Sequence, residues 1–335
     1  MTFQLKLEGF FMHFSLENIT LAFLYAIEKM QPEIYQYISS IINSKTLLRL
    51  VGMAKRSAKI TLDLEDSVWD PDSKERTSLL KNTARNNLHE LFNENRDLKL
   101  GVRINNIGSN EFERDIALLN VLGFVEWDYI VLPMIESATM IKKYINALGN
   151  IKYKEIIIIV ESEKGVRDLP SILKQGITEK LSKVHFGHFD YFFGSGRFPI
   201  PNQDDIEFWK VSEQVISIVE HYGCNYIHSP INKMNDPGSI FAICHNLTKI
   251  CKRPFGVTTI GLGQTKLVQN LNNCTYTELD LGNTVVNKKS YAGEIISFYE
   301  KNRNRYFGFS HDVKRGIYIT PHEYMAARNY LSNHG

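Results

Sequence analysis

The feature that most constrains the fold is a repeated alternation of short β-rich segments with longer helical segments. The predicted strands are Lys59–Leu64, Lys99–Ile104, Tyr129–Leu132, Glu155–Val160, Lys183–Phe186, Asn225–His228 and Phe255–Ile260. The predicted helices between them are Ser73–Glu94, Glu111–Leu122, Ser137–Leu148, Val166–Gln175, Asp204–His221 and Ser239–Cys251. Such alternation indicates parallel strands joined by helical crossovers. About eight such units in about 250 residues predict a closed (β/α)8 TIM barrel.

An open, doubly wound sheet is the alternative architecture, although no glycine-rich phosphate-binding turn follows the first predicted strand. We expect a single domain, residues 1–335, with the barrel at about 45–265. An N-terminal helical extension is predicted before the barrel, with helices at Leu16–Met30 and Pro32–Ile42. A C-terminal helical tail, at about 266–335, is predicted to carry helices at Glu294–Asn302 and Pro321–Leu331.

The charge balance and the apolar pattern argue against several classes of protein. With 39 basic and 37 acidic side chains, the formal net charge of +2 predicts neither a nucleic-acid partner nor an anionic membrane surface. The longest aliphatic run, Ile156–Val160, is far shorter than the ~20 apolar residues that cross a bilayer. The N-terminus shows no signal-peptide pattern, and the four cysteines show no Cys-x-x-Cys spacing. We therefore expect a cytoplasmic protein with reduced cysteines.

Polar side chains follow several predicted strands, at the edge where a parallel barrel carries its chemistry. Asp63, Glu65 and Asp66 stand at the first such end, and carboxylates this close repel one another unless a cation neutralises them. A solvated turn with a helix N-cap explains the same residues equally well. Arg103 interrupts an apolar strand and needs a planar anion, which is either a substrate carboxylate or a protein carboxylate.

Two further carboxylates predict a metal site. Glu161 follows five aliphatic residues, and Asp190 follows a turn that contains Gly187, so both belong at the mouth of a barrel. Mg²⁺ is usually held by one or two carboxylates and several waters. The sequence therefore predicts Mg²⁺ bound by Glu161 and Asp190. His185 and His188 raise zinc as an alternative, but on a strand-to-loop segment their spacing is expected to point the two rings in different directions.

Segments at the predicted strand ends match the motifs of a known family in the same order. They are Leu62–Val68 with Pro71 and Lys74, Val102–Asn105, Leu132–Glu136, Val160–Ser162, Phe186–Asp190, and Ile260 with Gln264. From about residue 59 to about residue 328, the chain resembles the citrate lyase β-subunit and malyl-CoA lyase group, the HpcH/HpaI aldolase superfamily.

The resemblance implies a Mg²⁺-dependent TIM-barrel lyase. In such an enzyme Glu161 and Asp190 would bind the metal, and Arg103 would bind the carboxylate of the substrate. The resemblance also implies that three acidic groups, Asp63, Glu65 and Asp66, lie around metal-bound water. It further implies that the turn formed by Gly187, His188 and Phe189 binds substrate.

Several positions depart from the pattern of that family. Thr320 stands where the acyl-CoA enzymes of the family carry an aspartate, and a threonine hydroxyl cannot act as a carboxylate base near neutral pH. His322 and Glu323 are the nearby candidates to replace it. Met134 replaces a lysine of the family, and the N-terminal segment associated with coenzyme A binding is absent before residue 59.

The predicted function is Mg²⁺-dependent cleavage or formation of a carbon–carbon bond in a small 2-oxo or hydroxy acid or in its CoA thioester. One alternative is an aldolase that acts on free hydroxy-oxo acids without CoA. The other is a barrel that binds a metal and a metabolite, or a partner protein, without turnover. The resemblance implies a homotrimer or hexamer in which the tail covers a neighbouring barrel, although the sequence is equally compatible with a tail that covers its own barrel.

Overall fold

Eight parallel strands close into a barrel in the computed structural model of the chain. The structure describes residues 2–7, 10–15, 31–231, 236–271, 279, 281–282, 287–302, 310–312 and 317–334. An antiparallel hairpin, β1 (Thr2–Leu7) and β2 (Phe10–Ser15), comes first in the chain. The barrel strands are β3 (Glu33–Ser39), β4 (Lys59–Asp63), β5 (Gly101–Arg103), β6 (Glu126–Leu132), β7 (Lys152–Val160), β8 (Leu181–Phe186), β9 (Asn225–His228) and β10 (Gly256–Thr259).

The strands pair around the barrel in the order β10-β3-β4-β5-β6-β7-β8-β9. Each barrel strand is thus bonded to two parallel neighbours, and the pairing of β10 with β3 closes the ring. The predicted TIM barrel is confirmed, and the open doubly wound sheet is wrong.

The predicted helix at Pro32–Ile42 is wrong, because this segment contains strand β3. The recurrence of Ile34, Ile38, Ile41 and Ile42 fits a helical period. In the structure, however, Ile34 and Ile38 pack against the outer core, while Tyr35 on the opposite face lies in the inner cluster of the barrel. Pairing with β10 and β4 decides the conformation, so the barrel begins at Glu33 rather than near residue 45. The other predicted N-terminal helix, Leu16–Met30, lies outside the described residues.

Helices follow the barrel strands and cover the outside of the barrel. They are α1 (Ser44–Ala54), α2 (Lys74–Glu94), α3 (Asn110–Val121), α4 (Ala138–Leu148), α5 (Glu163–Gly176), α6 (His188–Gly194), α7 (Ile206–His221), α8 (Pro237–Ile250) and α9 (Leu262–Gln269). Four of these helices begin at a serine whose hydroxyl accepts a hydrogen bond from the N–H three residues on; the serines are Ser73, Ser109, Ser137 and Ser162. Each of these N-caps pairs an N–H group in the first turn and so defines the residue at which its helix begins.

Strand β7 illustrates how the barrel packs on both faces. Ile157 and Ile159 belong to the inner cluster of the barrel, whereas Ile156, Ile158 and Val160 belong to the core between strands and helices. The expectation that this unbroken aliphatic run is buried on both sides is therefore confirmed. All five side chains of this run are buried in packing contacts. Glu161, the first residue after the strand, is therefore the first whose side chain is available for chemistry at the mouth.

The C-terminal tail contains α10 (Lys288–Asn302), the strand pair β11 (Ser310–Asp312) and β12 (Ile317–Ile319), and α11 (Pro321–His334). The two tail helices pack together through stacked rings of Tyr299 and Tyr324, whose centroids lie 4.2 Å apart. Arg328 of α11 pairs with Asp72 beyond the end of β4 at 2.9 Å. The tail therefore lies over the barrel of its own chain. None of the described helices is long and apolar enough to cross a membrane.

Candidate active site at the barrel mouth

A cavity of about 490 Å³ lies at the carboxyl ends of the strands. Most of the residues predicted from the sequence line it: Asp63, Asp66, Arg103, Glu161, Gly187, His188, Phe189 and Asp190. Glu65 lies beside them and contacts Arg103. The cavity is also lined by Tyr37 of β3, which the sequence did not assign to the site, and by His322 of α11, which the sequence named only as a candidate to replace the missing aspartate.

Arg103 is held by protein carboxylates. Its Nε and Nη2 donate to the two carboxylate oxygens of Asp63 at 2.7 and 2.6 Å, which is a bidentate pair. Its Nη1 lies 2.9 Å from Asp66 and 3.1 Å from Glu65. Asp63 also accepts the N–H groups of Glu65 and Ser67, at 3.0 and 3.1 Å. Asp63 thus fixes one edge of the guanidinium, so a substrate carboxylate would use only the N–H groups that Asp63 leaves free.

The charges around Arg103 shift one another's protonation. Burial acts against the charged guanidinium, but Asp63, Asp66 and Glu65 outweigh it and raise the pKa of Arg103 further. Burial and the neighbouring Asp66 raise the pKa of Glu65 well above its usual value. Burial also disfavours the Asp66 carboxylate, yet Arg103 and His322 outweigh it and lower the pKa of Asp66. Between Glu65 and Asp66, the charged form is therefore favoured at Asp66, which lines the cavity.

Glu161 is positioned by backbone rather than by a cationic side chain. Its Oε1 accepts the N–H of Met134 at 2.6 Å. Met134 occupies the left-handed region at φ 54°, which is costly for a side chain with a Cβ and is typical of functional sites. Gly187 lies so close that a Cβ there would stand 2.5 Å from Oε2 of Glu161. Burial, followed by the charges of Asp190 and Asp66, raises the pKa of Glu161 well above its usual value.

Asp190 faces a histidine from the tail. Nε2 of His322 lies 2.9 Å from Oδ1 of Asp190. Ligand atoms of Asp66, Asp190 and His322 all lie within 4.8 Å of one another, the spacing that a single metal ion requires. Burial acts to lower the pKa of His322, but Asp190, Asp66 and Glu161 outweigh it and raise it to about 9. A positive charge is therefore favoured at this point of the cavity.

Thr320 and Glu323 together form the start of helix α11. The Thr320 hydroxyl accepts the N–H of Glu323 at 3.2 Å, and the Glu323 carboxylate accepts the Thr320 N–H at 2.8 Å. This reciprocal pair is a capping box, and Pro321 occupies the first helical position. Thr320 thus has a structural role here, and Glu323 is committed to the same cap. Of the two candidates to replace the missing aspartate, His322 is the one that contacts Asp190.

His185 and His188, on which the zinc alternative rests, contact different groups. Nε2 of His185 lies 3.2 Å from the hydroxyl of Thr258, inside the barrel. The ring of His188 packs edge-on against Phe208, with centroids 5.3 Å apart. Among the described residues, the three-ligand group at the mouth contains neither of them. A zinc site built on this pair has no support in the described part of the chain.

Sequence reasoning missed Tyr37 because its strand was assigned to a helix. The Tyr37 ring lies below the Arg103 guanidinium, with Cζ 5.2 Å from the ring centroid, which is a cation–π contact. Its hydroxyl lies 3.4 Å from Nδ1 of His185. An available signal was the alternation within Ile34–Ile38, in which two tyrosines alternate with apolar and polar residues. The sequence contains only a weak indication that His322 belongs to the site, namely its position two residues after Thr320.

A closed parallel barrel with buried carboxylates gathered at the carboxyl ends of its strands defines a TIM-barrel protein with a mouth suited to a divalent cation. The sequence profile of the HpcH/HpaI aldolase/citrate lyase family matches residues 43–252, more than half of the chain. The chain therefore belongs to the HpcH/HpaI aldolase/citrate lyase family. Comparison with curated proteins by sequence gives no match.

Solved structures with the same fold include RipC from Yersinia pestis, with a TM-score of 0.53 and 21% identity over 74% of this chain and 97% of that one. The citrate lyase β subunit of Mycobacterium tuberculosis, complexed with oxaloacetate and magnesium, gives a TM-score of 0.56 and 17% identity over 73% of this chain and 99% of that one. CitE of the same organism, in complex with magnesium, acetoacetate and coenzyme A, gives a TM-score of 0.56 and 16% identity over 91% of this chain and 98% of that one. At these identities the likeness shows the fold.

Proposed function

We propose that this protein is a carbon–carbon lyase that uses Mg²⁺, held by Glu161 and Asp190, to cleave or form a bond next to the carbonyl of a small 2-oxo or hydroxy acid. The observation that carries the proposal is the shared cavity of Glu161 and Asp190, with Asp66 beside them. Carboxylates crowded in this way disfavour one another's ionisation unless a cation is present. The oxygen donors fit Mg²⁺, which takes a few carboxylates and keeps its waters.

When bound, the ion would stabilise negative charge that develops on the oxygen of the substrate. The chain's own residues prepare the site for it. The Met134 N–H orients Glu161, and the absence of a side chain at Gly187 leaves room for that carboxylate. Asp63 holds the Arg103 plane at the edge of the cavity, where an incoming carboxylate would compete with Asp66 and Glu65 for Nη1. These contacts fix the geometry before substrate binds.

The lining of the cavity favours a free acid over a CoA thioester. Among the described lining residues, the cationic side chains are Arg103 and His322, and both are already paired with carboxylates. The phosphates of coenzyme A require unpaired basic groups or backbone donors. The outer wall is apolar, with Ile42, Leu50 and Leu262. This favours a 2-oxo acid such as pyruvate, glyoxylate or oxaloacetate as one product or reactant, with the CoA thioester as the alternative.

Calorimetric titration with Mg²⁺ tests the proposed metal site. We expect the wild type to bind the ion at one site per chain, and Glu161→Gln and Asp190→Asn to weaken binding by about 100-fold or more, because each removes a charged ligand. Glu163→Gln is the matched control, since Glu163 is an exposed carboxylate two residues beyond Glu161. Wild-type affinity in both site variants would show that the ion binds elsewhere.

Turnover is tested by incubating the wild type with Mg²⁺ and hydroxy-oxo acids, either free or as CoA thioesters, and following the 2-oxo acid that is released. We expect release from a free acid, and its loss in Glu161→Gln. The second candidate function, a barrel that binds metal and metabolite without turnover, is favoured by the bidentate Asp63–Arg103 pair, which occupies one edge of the proposed clamp. Saturable binding of the acid with no release would establish that function instead.

A further inference from the structure

The side chain of His322 enters the mouth of the barrel from the tail of the same chain. It is the second residue of α11, it is 7% exposed, and its Nε2 lies 2.9 Å from Asp190. The same nitrogen belongs to the group in which ligand atoms of Asp66, Asp190 and His322 lie within 4.8 Å of one another. Two carboxylates and an imidazole at this spacing form a donor set for one divalent ion.

The ring of His322 is fixed by its surroundings. It packs at a tilt on Trp69, 5.3 Å between centroids, and edge-on against Phe193 at 5.9 Å. The ring of Phe189 lies parallel to it at 6.4 Å. The capping box at Thr320 fixes the first turn of the helix that carries it. Because the ring is already ordered, little conformational entropy is lost when its nitrogen binds an ion.

Two independent observations point to a ligand at this place. Glu161, 5% exposed, lines the same cavity as Asp66, Asp190 and His322 and adds a third carboxylate to it. His188 is fully buried and lines the cavity too, yet neither of its ring nitrogens has a hydrogen-bond partner among the described residues. Buried polar groups without partners are rare and call for an explanation such as a ligand or an ordered water.

We propose that His322 is a nitrogen ligand of the divalent ion, so that Asp66, Asp190 and His322, with Glu161 beside them, prefer Mn²⁺, Fe²⁺ or Co²⁺ to Mg²⁺. The inference rests on the proposed metal site and extends it. Mg²⁺ takes oxygen donors almost exclusively, whereas an imidazole strengthens binding of first-row transition ions in the Irving–Williams order. The alternative is that the ring is itself the cation of the site, paired with Asp190, in which case it competes with the metal.

The test is calorimetric titration of the full-length protein with Mg²⁺, Mn²⁺ and Co²⁺, for the wild type and for His322→Ala. We expect the wild type to bind Mn²⁺ and Co²⁺ at least about tenfold more tightly than Mg²⁺, and His322→Ala to lose about 100-fold for Co²⁺ and much less for Mg²⁺. His334→Ala is the matched control, because His334 is an exposed histidine on the same helix. Circular dichroism checks that each variant is folded.

Pulsed electron paramagnetic resonance of the Mn²⁺-loaded wild type gives a readout that does not depend on the variant folding. We expect nuclear modulation from a coordinated imidazole nitrogen, and its loss in His322→Ala. The inference is overturned if no nitrogen modulation is seen, or if His322→Ala binds Mg²⁺ and Co²⁺ more tightly, which is the behaviour of a displaced competitor. If His322→Ala leaves all affinities unchanged while Glu161→Gln abolishes them, the metal site stands and only the role of His322 fails. A wild type that binds none of the three ions contradicts both.

Discussion

At the scale of single residues, the partner of Arg103 decides what the site can do. The sequence predicted that Arg103 pairs with a planar anion. In the structure that anion is a carboxylate of the same chain, Asp63. Because a buried guanidinium without a partner is very costly, the pair keeps Arg103 ordered when no substrate is bound. The cost is that only part of the guanidinium faces the cavity. Specificity for a substrate carboxylate therefore depends on how much of that edge the Asp63 pair leaves accessible.

A buried histidine gives a prediction about stability and pH. His228 is fully buried, its ring stacks on Trp209 at 5.6 Å, and its Nε2 has no hydrogen-bond partner among the described residues. Burial lowers the pKa of His228 from 6.5 to about 3. Between these two pH values the unfolded chain binds a proton that the folded chain does not, so stability is retained above pH 6.5 and falls as the pH falls toward 3.

Urea unfolding at pH 7.5 and pH 5.0 measures this effect. We expect the wild type to lose about 2 kcal/mol more stability between these pH values than His228→Gln does. His89→Gln is the control, because His89 is exposed on α2 and should keep the pH dependence of the wild type. An identical loss in wild type and His228→Gln would mean that the buried ring does not resist protonation.

At the scale of elements, the strand-to-helix turns determine where the carboxylates stand. Glu161 and Gly187 follow neighbouring strands, and the N–H of Gly187 donates to the carbonyl of Val160 at 3.0 Å. This contact draws the turn after β8 against the end of β7. The sequence located these turns because a strand that is buried on both faces can present polar side chains only where it ends.

Gly187→Ala tests the close approach of these two turns. The new Cβ would stand 2.5 Å from Oε2 and 2.7 Å from Cβ of Glu161, so the Glu161 side chain must move. We expect metal affinity to fall by about tenfold or more, because a ligand displaced by a fraction of an ångström loses its coordination geometry. Gly194→Ala is the matched control, since Gly194 ends the short helix that Gly187 precedes and a Cβ there meets nothing within 4 Å. Calorimetry that gives the two variants equal affinity would contradict this reading of Gly187.

Strand β3 shows where element prediction fails. Its isoleucines recur at a helical spacing. Its tyrosines can be counted as polar or as apolar, so they do not distinguish a strand pattern from a helix pattern. Only the free edges of β10 and β4, brought together by closure of the barrel, make the extended conformation the favourable one. This error also affected the predicted site. Tyr37, whose ring contacts Arg103, could not be assigned to the site because its strand had been predicted as a helix.

At the scale of the whole molecule, the tail completes the site. His322 contacts Asp190, and Arg328 pairs with Asp72, within one chain. A homotrimer or hexamer, with the tail over a neighbouring barrel, stays a prediction from the family resemblance. The structure places the tail over its own barrel, so oligomerisation is not required to bring His322 to the mouth.

Mixed subunits distinguish the two arrangements of the tail. If each site takes His322 from its own chain, co-expression of Asp190→Asn with His322→Ala gives no site with both wild-type residues. We expect the Mn²⁺ titration of the mixture to be the sum of the binding curves of the two variants, with no sites of wild-type affinity. Sites of wild-type affinity in about a quarter or more of the chains would instead show that tails are exchanged between subunits.

The sequence alone determined the barrel and the strand ends that carry chemistry, because hydrophobic period and strand burial are properties of short segments. It placed Glu161, Asp190, Arg103 and the acidic trio at one mouth for the same reason. Only the tertiary structure decided that Asp63 occupies the edge of Arg103, that β3 is a strand, and that His322 reaches Asp190. Each of these depends on a contact between residues distant in the chain, whose energy is defined only once the barrel has closed.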